Sequence, residues 1–269
     1  MAIRAAFLAF MVLALPLRAQ ETTAAQVKVE VVGLHVNKAP YKDDKELAPN
    51  MEPAPGTKVN VLVSVGAGGI IKLDDHKSKL SKFSDDKGAD LLAAKPPKES
   101  FFNSPIGSFP KITKDQKACL VELQAMACPS AGSKSLDIEA TLSLAVGDEQ
   151  EVVKHEKVQA KKDATFKAGG IDFKITDAGK NTFGDDPMKI SLESKDGLKV
   201  AKIRFLDGAG KEIDSHQGSS GSMSFGGMTS YSWDYTLKQM AASVTIEVTL
   251  WKKVSVVDVP VNLTVSLGL

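Results

Sequence analysis

The run Leu136-Asp137-Ile138-Glu139-Ala140-Thr141-Leu142-Ser143-Leu144 places an apolar side chain at every even position and a polar one at every odd position. Successive side chains of an extended chain point to opposite faces, so this is a strand with one dry face and one wet face. A helix would spread the same residues around its circumference. The pattern recurs on either side. Val27, Val29 and Val31 alternate with Lys28 and Glu30; Val59, Val61, Val63 and Val65 alternate with Lys58, Asn60 and Ser64. Val244, Ile246, Val248 and Leu250 alternate with Thr245, Glu247 and Thr249. Period-two runs rich in β-branched residues mark half-buried antiparallel strands. Helical periodicity is not sustained over a comparable stretch beyond the first 19 residues.

Turn residues punctuate these runs at Gly66-Ala67-Gly68-Gly69, Gly169-Gly170, Lys195-Asp196-Gly197 and Asp207-Gly208-Ala209-Gly210. Glycine supplies positive φ at such places, and aspartate hydrogen-bonds its own backbone. Lys38 to Pro55 and Ala93 to Pro110 read as long loops, with four prolines in each. About seven strands fit before residue 160 and about seven after it, as two antiparallel sandwiches of immunoglobulin-like type would require. The sequence therefore predicts an all-β chain with an N-terminal β-sandwich over residues 20–160 and a C-terminal one over 161–269. The basic segment Lys157 to Asp163 is the expected junction, although a continuous single sandwich fits the same pattern.

Residues 1–19 differ from the rest. Arg4 is followed by the apolar run Ala5 to Leu17, and Leu17-Arg18-Ala19 precedes Gln20. A positive start, an apolar middle and a small-residue exit make a secretory signal peptide. The run is shorter than the about 20 residues a membrane anchor needs, and Pro16 and Arg18 end it. Removing Arg4 and Arg18 leaves 32 basic against 33 acidic residues, and Arg204 is then the sole arginine. Planar, bidentate recognition of phosphate favours arginine, so a near-neutral chain with one arginine is not expected to bind nucleic acid. Aromatic residues make up 6%, too few for the two girdles of an outer-membrane barrel. The expectation is a periplasmic or secreted protein that does not span a membrane once the signal is removed.

No catalytic motif is complete. His155-Glu156 begins a zinc-protease pattern, but Gln159 stands where the second histidine belongs. Ser224 lies in a Ser/Gly-rich run, Gly218 to Gly226, without the Gly-x-Ser-x-Gly spacing and following helix of a nucleophile elbow. That run reads as a hairpin edge. Gly66 to Gly69 leads into Ile70-Ile71-Lys72-Leu73, a strand rather than the helix a phosphate loop needs. Among the aspartate pairs, Asp85-Asp86-Lys87-Gly88-Ala89-Asp90 could gather three carboxylates. Asp85, Asp86 and Asp90 are thus the candidate calcium ligands, although calcium wants six to eight oxygens. No cofactor is implied.

Tyr231, Trp233 and Tyr235 share one face of a strand. Met223, Phe225 and Leu237 continue that parity, while Ser224, Ser230, Ser232 and Asp234 take the other, so the whole row reads as a core face. Trp251 shares parity with Thr245, Glu247 and Thr249, which makes it the expected exposed aromatic and the candidate ligand-binding residue. Cys119 and Cys128 are expected to stay unbonded to each other. The eight residues between them lack Gly, Pro, Asn and Asp, and as a strand the segment spans about 30 Å. A disulfide needs Cα atoms within about 7 Å.

These features point to a non-enzymatic exported module that contacts another protein or a surface polysaccharide. Two other readings compete with it. One is a carbohydrate-binding module using Trp251 or the Tyr231 row. The other is a hydrolase, which would need two close carboxylates in a cleft.

Overall fold

A computed structural model describes residues 27–37, 56–94, 104–107, 110–182, 184–226 and 228–268. The expected signal peptide, the Lys38-to-Pro55 loop and much of the Ala93-to-Pro110 loop lie outside them. The described chain is nearly all strand. In order, the strands are β1 (Val27–Asn37), β2 (Gly56–Val65), β3 (Gly69–Asp85), β4 (Lys111–Ile112), β5 (Ala118–Ala125), β6 (Ser135–Gln159) and β7 (Thr165–Ala168). There follow β8 (Ile171–Lys180), β9 (Met188–Ser194), β10 (Val200–Leu206), β11 (Glu212–Ile213), β12 (Ser215–Phe225), β13 (Met228–Leu237) and β14 (Ser243–Ser266). Two short 3-10 turns, Leu91–Ala93 and Gly197–Lys199, complete the regular structure among the described residues.

The strands form three antiparallel sheets, ordered β1-β2-β5-β4, β11-β10-β14-β6-β3 and β12-β13-β9-β8-β7. Two separate sandwiches would have four. The reason for three is strand length: β6 and β14 run 25 and 24 residues and pair along almost their whole length. The sheet they build serves two cores.

The first core joins Val59, Val61, Val63 and Val65 of β2 and Cys119, Val121 and Leu123 of β5 to Leu136, Ile138, Leu142 and Leu144 of β6. Val259, Val261 and Val265, from the far end of β14, complete it. The second gathers Phe166, Phe173, Ile175, Ile190, Leu192, Phe205, Trp233, Tyr235 and Leu237 with Val244, Ile246, Val248 and Leu250 of β14. Burying each such aliphatic side chain contributes about 1.5–3 kcal/mol over leaving it exposed. The aromatic rings of the second core meet in specific geometries, Phe166 stacked on Phe173 at 4.9 Å and Phe205 edge-on to Tyr235 at 5.2 Å.

The long strands change parity between the cores. β6 gives even positions to the first core and packs the odd Val153 against the second. It then returns to even at the buried Val158, after the left-handed Lys157 and a register shift against β14. β14 gives odd positions to the first core and even ones to the second. The change falls where Glu149 adopts φ +50° opposite Lys252, a step the β6–β14 ladder skips without losing register. A non-glycine residue in the left-handed region is uncommon. Here Glu149 is tied down by Lys253 at 2.8 Å and Lys252 at 3.8 Å. The expected junction at Lys157 to Asp163 comprises the last residues of β6 and the turn that leads to β7, with positive φ at Lys157 and Asp163. The chain beyond it does not stay in the second core, because β14 returns residues 257–267 to the first.

Candidate functional site

The hairpin of β12 and β13 departs from the sandwich pattern. Residues 217–233 carry no charged side chain, in a chain that is 25% charged. The first turn of pairing is ordinary: Tyr231 to Leu237 of β13 lie beside Met188 to Ser194 of β9. Met228, Thr229 and Ser230 have no partner in β9, yet they pair with Phe225, Ser224 and Met223 of β12. The hairpin therefore extends beyond the sheet that carries it. Polar side chains tie its two strands together: Ser224 and Thr229 hydroxyls meet at 2.8 Å, and the Tyr235 hydroxyl donates to Gln217 Oε1 at 3.2 Å.

At its end, Met223, Phe225 and Met228 are 75%, 85% and 65% exposed. This corrects the expectation that Met223 and Phe225 continue the core face of Tyr231, Trp233 and Tyr235. Parity does not carry across a reversal of the chain. Phe225 pairs with Met228 and Met223 with Ser230, so both lie on the face of Ser230 and Asp234, away from the core. The aromatic row itself is where its parity puts it. Trp233 and Tyr235 are buried in the second core, with Tyr231 half-buried against it and stacked on Trp233 at 6.4 Å. Burial pushes the Tyr235 hydroxyl pKa well above its ordinary value.

Trp251, expected on the solvent face, is 5% exposed. Alternation names the face a side chain points to but not what covers that face. Here Leu250 and Trp251 are consecutive and both buried, because β14 leaves one core and enters the neighbourhood of the other. The indole lies on Gly69 and Gly147: a β-carbon on Gly69 would come within 2.7 Å of the ring. Its Nε1–H is buried and finds no hydrogen-bond partner among the described residues.

The three candidate calcium ligands have separate tasks. Asp85 Oδ1 accepts from the amides of Lys87 and Ala89 at 3.0 and 2.9 Å; Oδ2 accepts from the Ser130 amide at 2.7 Å and the Ser133 hydroxyl at 3.0 Å. Hydrogen bonds from Ser130 above all hold its carboxyl well below the usual carboxylate range. Asp86 accepts from the Lys134 amide at 3.1 Å, and Asp90 caps the Leu91–Ala93 turn through the Leu92 amide at 2.9 Å. Among the described residues no three His, Cys, Asp or Glu side chains converge to hold a metal. His155 packs its ring 5.7 Å from Phe166.

Cys119 is buried in the first core, where desolvation pushes its thiol up to about 11. Cys128, half-buried, donates its S–H to the Asn37 carbonyl at 3.0 Å. The buried carboxylate of Glu247 is paired with Arg204 and, at 3.1 Å, with Lys154. Burial pushes its pKa up, but the hydrogen bonds from these two cations outweigh that and hold it below its ordinary value. A concavity of about 330 Å³ lies beside this pair, between the Asp207–Gly210 turn and β6; Lys154, Lys157, Glu156 and Asp207 line it with both signs of charge.

No helix among the described residues is long and apolar enough to cross a membrane. No protein-family model, curated protein or solved structure matches this chain. The hairpin end gathers Met223, Phe225 and Met228, the three most exposed large apolar side chains among the described residues.

Proposed function

We propose that this protein is an exported, non-catalytic binding module that docks on another protein or a surface polymer through the end of the β12–β13 hairpin. The single observation that carries the reading is the exposure of Met223, Phe225 and Met228 on an uncharged projection. Three large apolar side chains grouped at one protruding end are the usual mark of a contact surface. The immunoglobulin-like reading of the two halves belongs to this proposal, since the ends of such sandwiches present their binding segments, as this hairpin does. Export rests on the N-terminal segment and would place the module in the periplasm or medium. Replacing Met223, Phe225 and Met228 together by serine tests the role of the hairpin. Capture of partners from periplasmic extract or culture medium should be lost, with the unfolding midpoint unchanged; undiminished capture would overturn the reading.

A further inference from the structure

β12 is the outer strand of its sheet, and no described residue pairs with its free edge. An open edge is a template for another strand, and proteins protect edges with charges, prolines, bulges or brevity. The other edges here are protected. β4 and β11 have two residues each, and β7 has four, including Lys167. β3 breaks register at three places and carries Lys77, Lys79 and Lys82; β1 carries Lys28 and Glu30 and shifts register between Val31 and Gly33. β12 shifts once, at Gly218, and then runs from Ser219 to Phe225 without a break, a charge or a proline.

Gly218 is the bulged residue of the strand, whereas Gly221 lies in its unbroken part and meets no steric demand from the described residues. Neither Gly218 nor Gly221 has positive φ, and a β-carbon on either would meet no atom nearer than 3.9 Å. Away from a bulge, as at Gly221, a strand glycine with room around it fits the close approach of a second backbone.

We propose that two copies of this chain pair edge to edge through β12, antiparallel, about a two-fold axis at Ser222. That register is self-complementary. Ser222 faces its own counterpart, Gly221 faces Met223 and Ser219 faces Phe225, so each large side chain lies opposite a small one in both directions. No like charges meet, since Ser219 to Phe225 has none. Main-chain N–H and C=O groups that are open in the single copy are exchanged across the axis, and the contact is isologous and closed. It goes beyond the docking role of the hairpin end and does not depend on it, because it uses the free edge of the strand.

Light scattering across a concentration series measures the mass of the full chain, and cysteine cross-linking locates the contact. The chain should approach twice its formula mass as concentration rises. Ser222→Lys, an exposed position, should return the single-copy mass with an unchanged unfolding midpoint, because it sets two positive charges opposite each other. In a Cys128→Ser background, Ser222→Cys should form a covalent dimer under mild oxidation and Lys238→Cys should not. A single-copy mass at every concentration overturns the proposal. So does a dimer that Ser222→Lys leaves intact, or equal cross-linking at positions 222 and 238. Partner capture that depends on the hairpin end, measured on single-copy protein, would separate failure here from failure of the docking role.

Discussion

Gly147 lies directly against the indole of Trp251, and a β-carbon at 147 would come within 2.2 Å of its Cδ2. The pair sits where β6 and β14 pass from one core to the other. Glycine at 147 is therefore required by contact rather than by backbone conformation. Gly147→Ala should cost about 1–3 kcal/mol, the range for forcing extra atoms into a packed site. Urea denaturation followed by tryptophan fluorescence measures it; an unchanged midpoint would show that the indole can move aside.

Trp251→Ala should cost about 3–5 kcal/mol, as buried aromatic truncations do, and so should Trp233→Ala. The composition of the flanking strand suggests a mild effect for Trp251, so the comparison is informative. Trp251→Phe should be much milder than Trp251→Ala. It keeps most of the apolar contact and removes a buried N–H that has no partner among the described residues, a defect worth about 1–3 kcal/mol. Denaturant midpoints of the three variants decide between these outcomes.

Asp85 should make stability pH-dependent. Its folded pKa lies below its unfolded one, so the ionised carboxylate is the form the fold stabilises. That contribution is complete above the unfolded value of about 4 and falls away as the pH drops through the folded value. Asp85→Asn should lower the unfolding midpoint at neutral pH and flatten its decline below about pH 4. Asp90→Asn, which loses one cap on a short turn, should change it little. Thermal unfolding across pH for the three proteins is the check; parallel curves for wild type and Asp85→Asn would contradict the assignment.

The two thiols should react in sequence. Cys128 is half-buried, while Cys119 is buried with its thiol pushed up to about 11. Since the thiolate is the reactive form, native protein at mildly alkaline pH should take up one alkylating group, at Cys128, and denatured protein two. Mass spectrometry without reductant reads the result. A mass lower by two hydrogens, with no label taken up, would mean a bridge between them.

Much of the fold is legible in the sequence. The alternations at Val59 to Val65, Leu136 to Leu144 and Val244 to Leu250 each become a strand with the expected buried face. The Gly218-to-Gly226 run reads as a hairpin edge and is one. Three features escape the same reading, for related reasons. Alternation is local, so it cannot show that β6 and β14 are each long enough to line two cores. It does not reveal the change of parity at Glu149, which depends on a single left-handed residue. Nor does it survive a hairpin turn, which is why Met223 and Phe225 look like core residues when counted from Tyr231. Trp251 fails for a fourth reason, since its cover comes from Gly69 and Gly147, far away in sequence. The apolar hairpin end is visible in the sequence as Met223, Phe225 and Met228 around Gly226-Gly227. Reading it as exposed requires placing the reversal before counting the faces.

The central claim is that the hairpin end is the contact surface, and site-specific photocross-linking tests it most directly. A photoreactive phenylalanine analogue at position 225 should yield discrete adducts in cells that produce the protein. The same analogue at Val256, 60% exposed on β14, should not. Adducts at 225 absent at 256 are the expected result. No adduct at 225, or an equal pattern at both positions, would contradict the account.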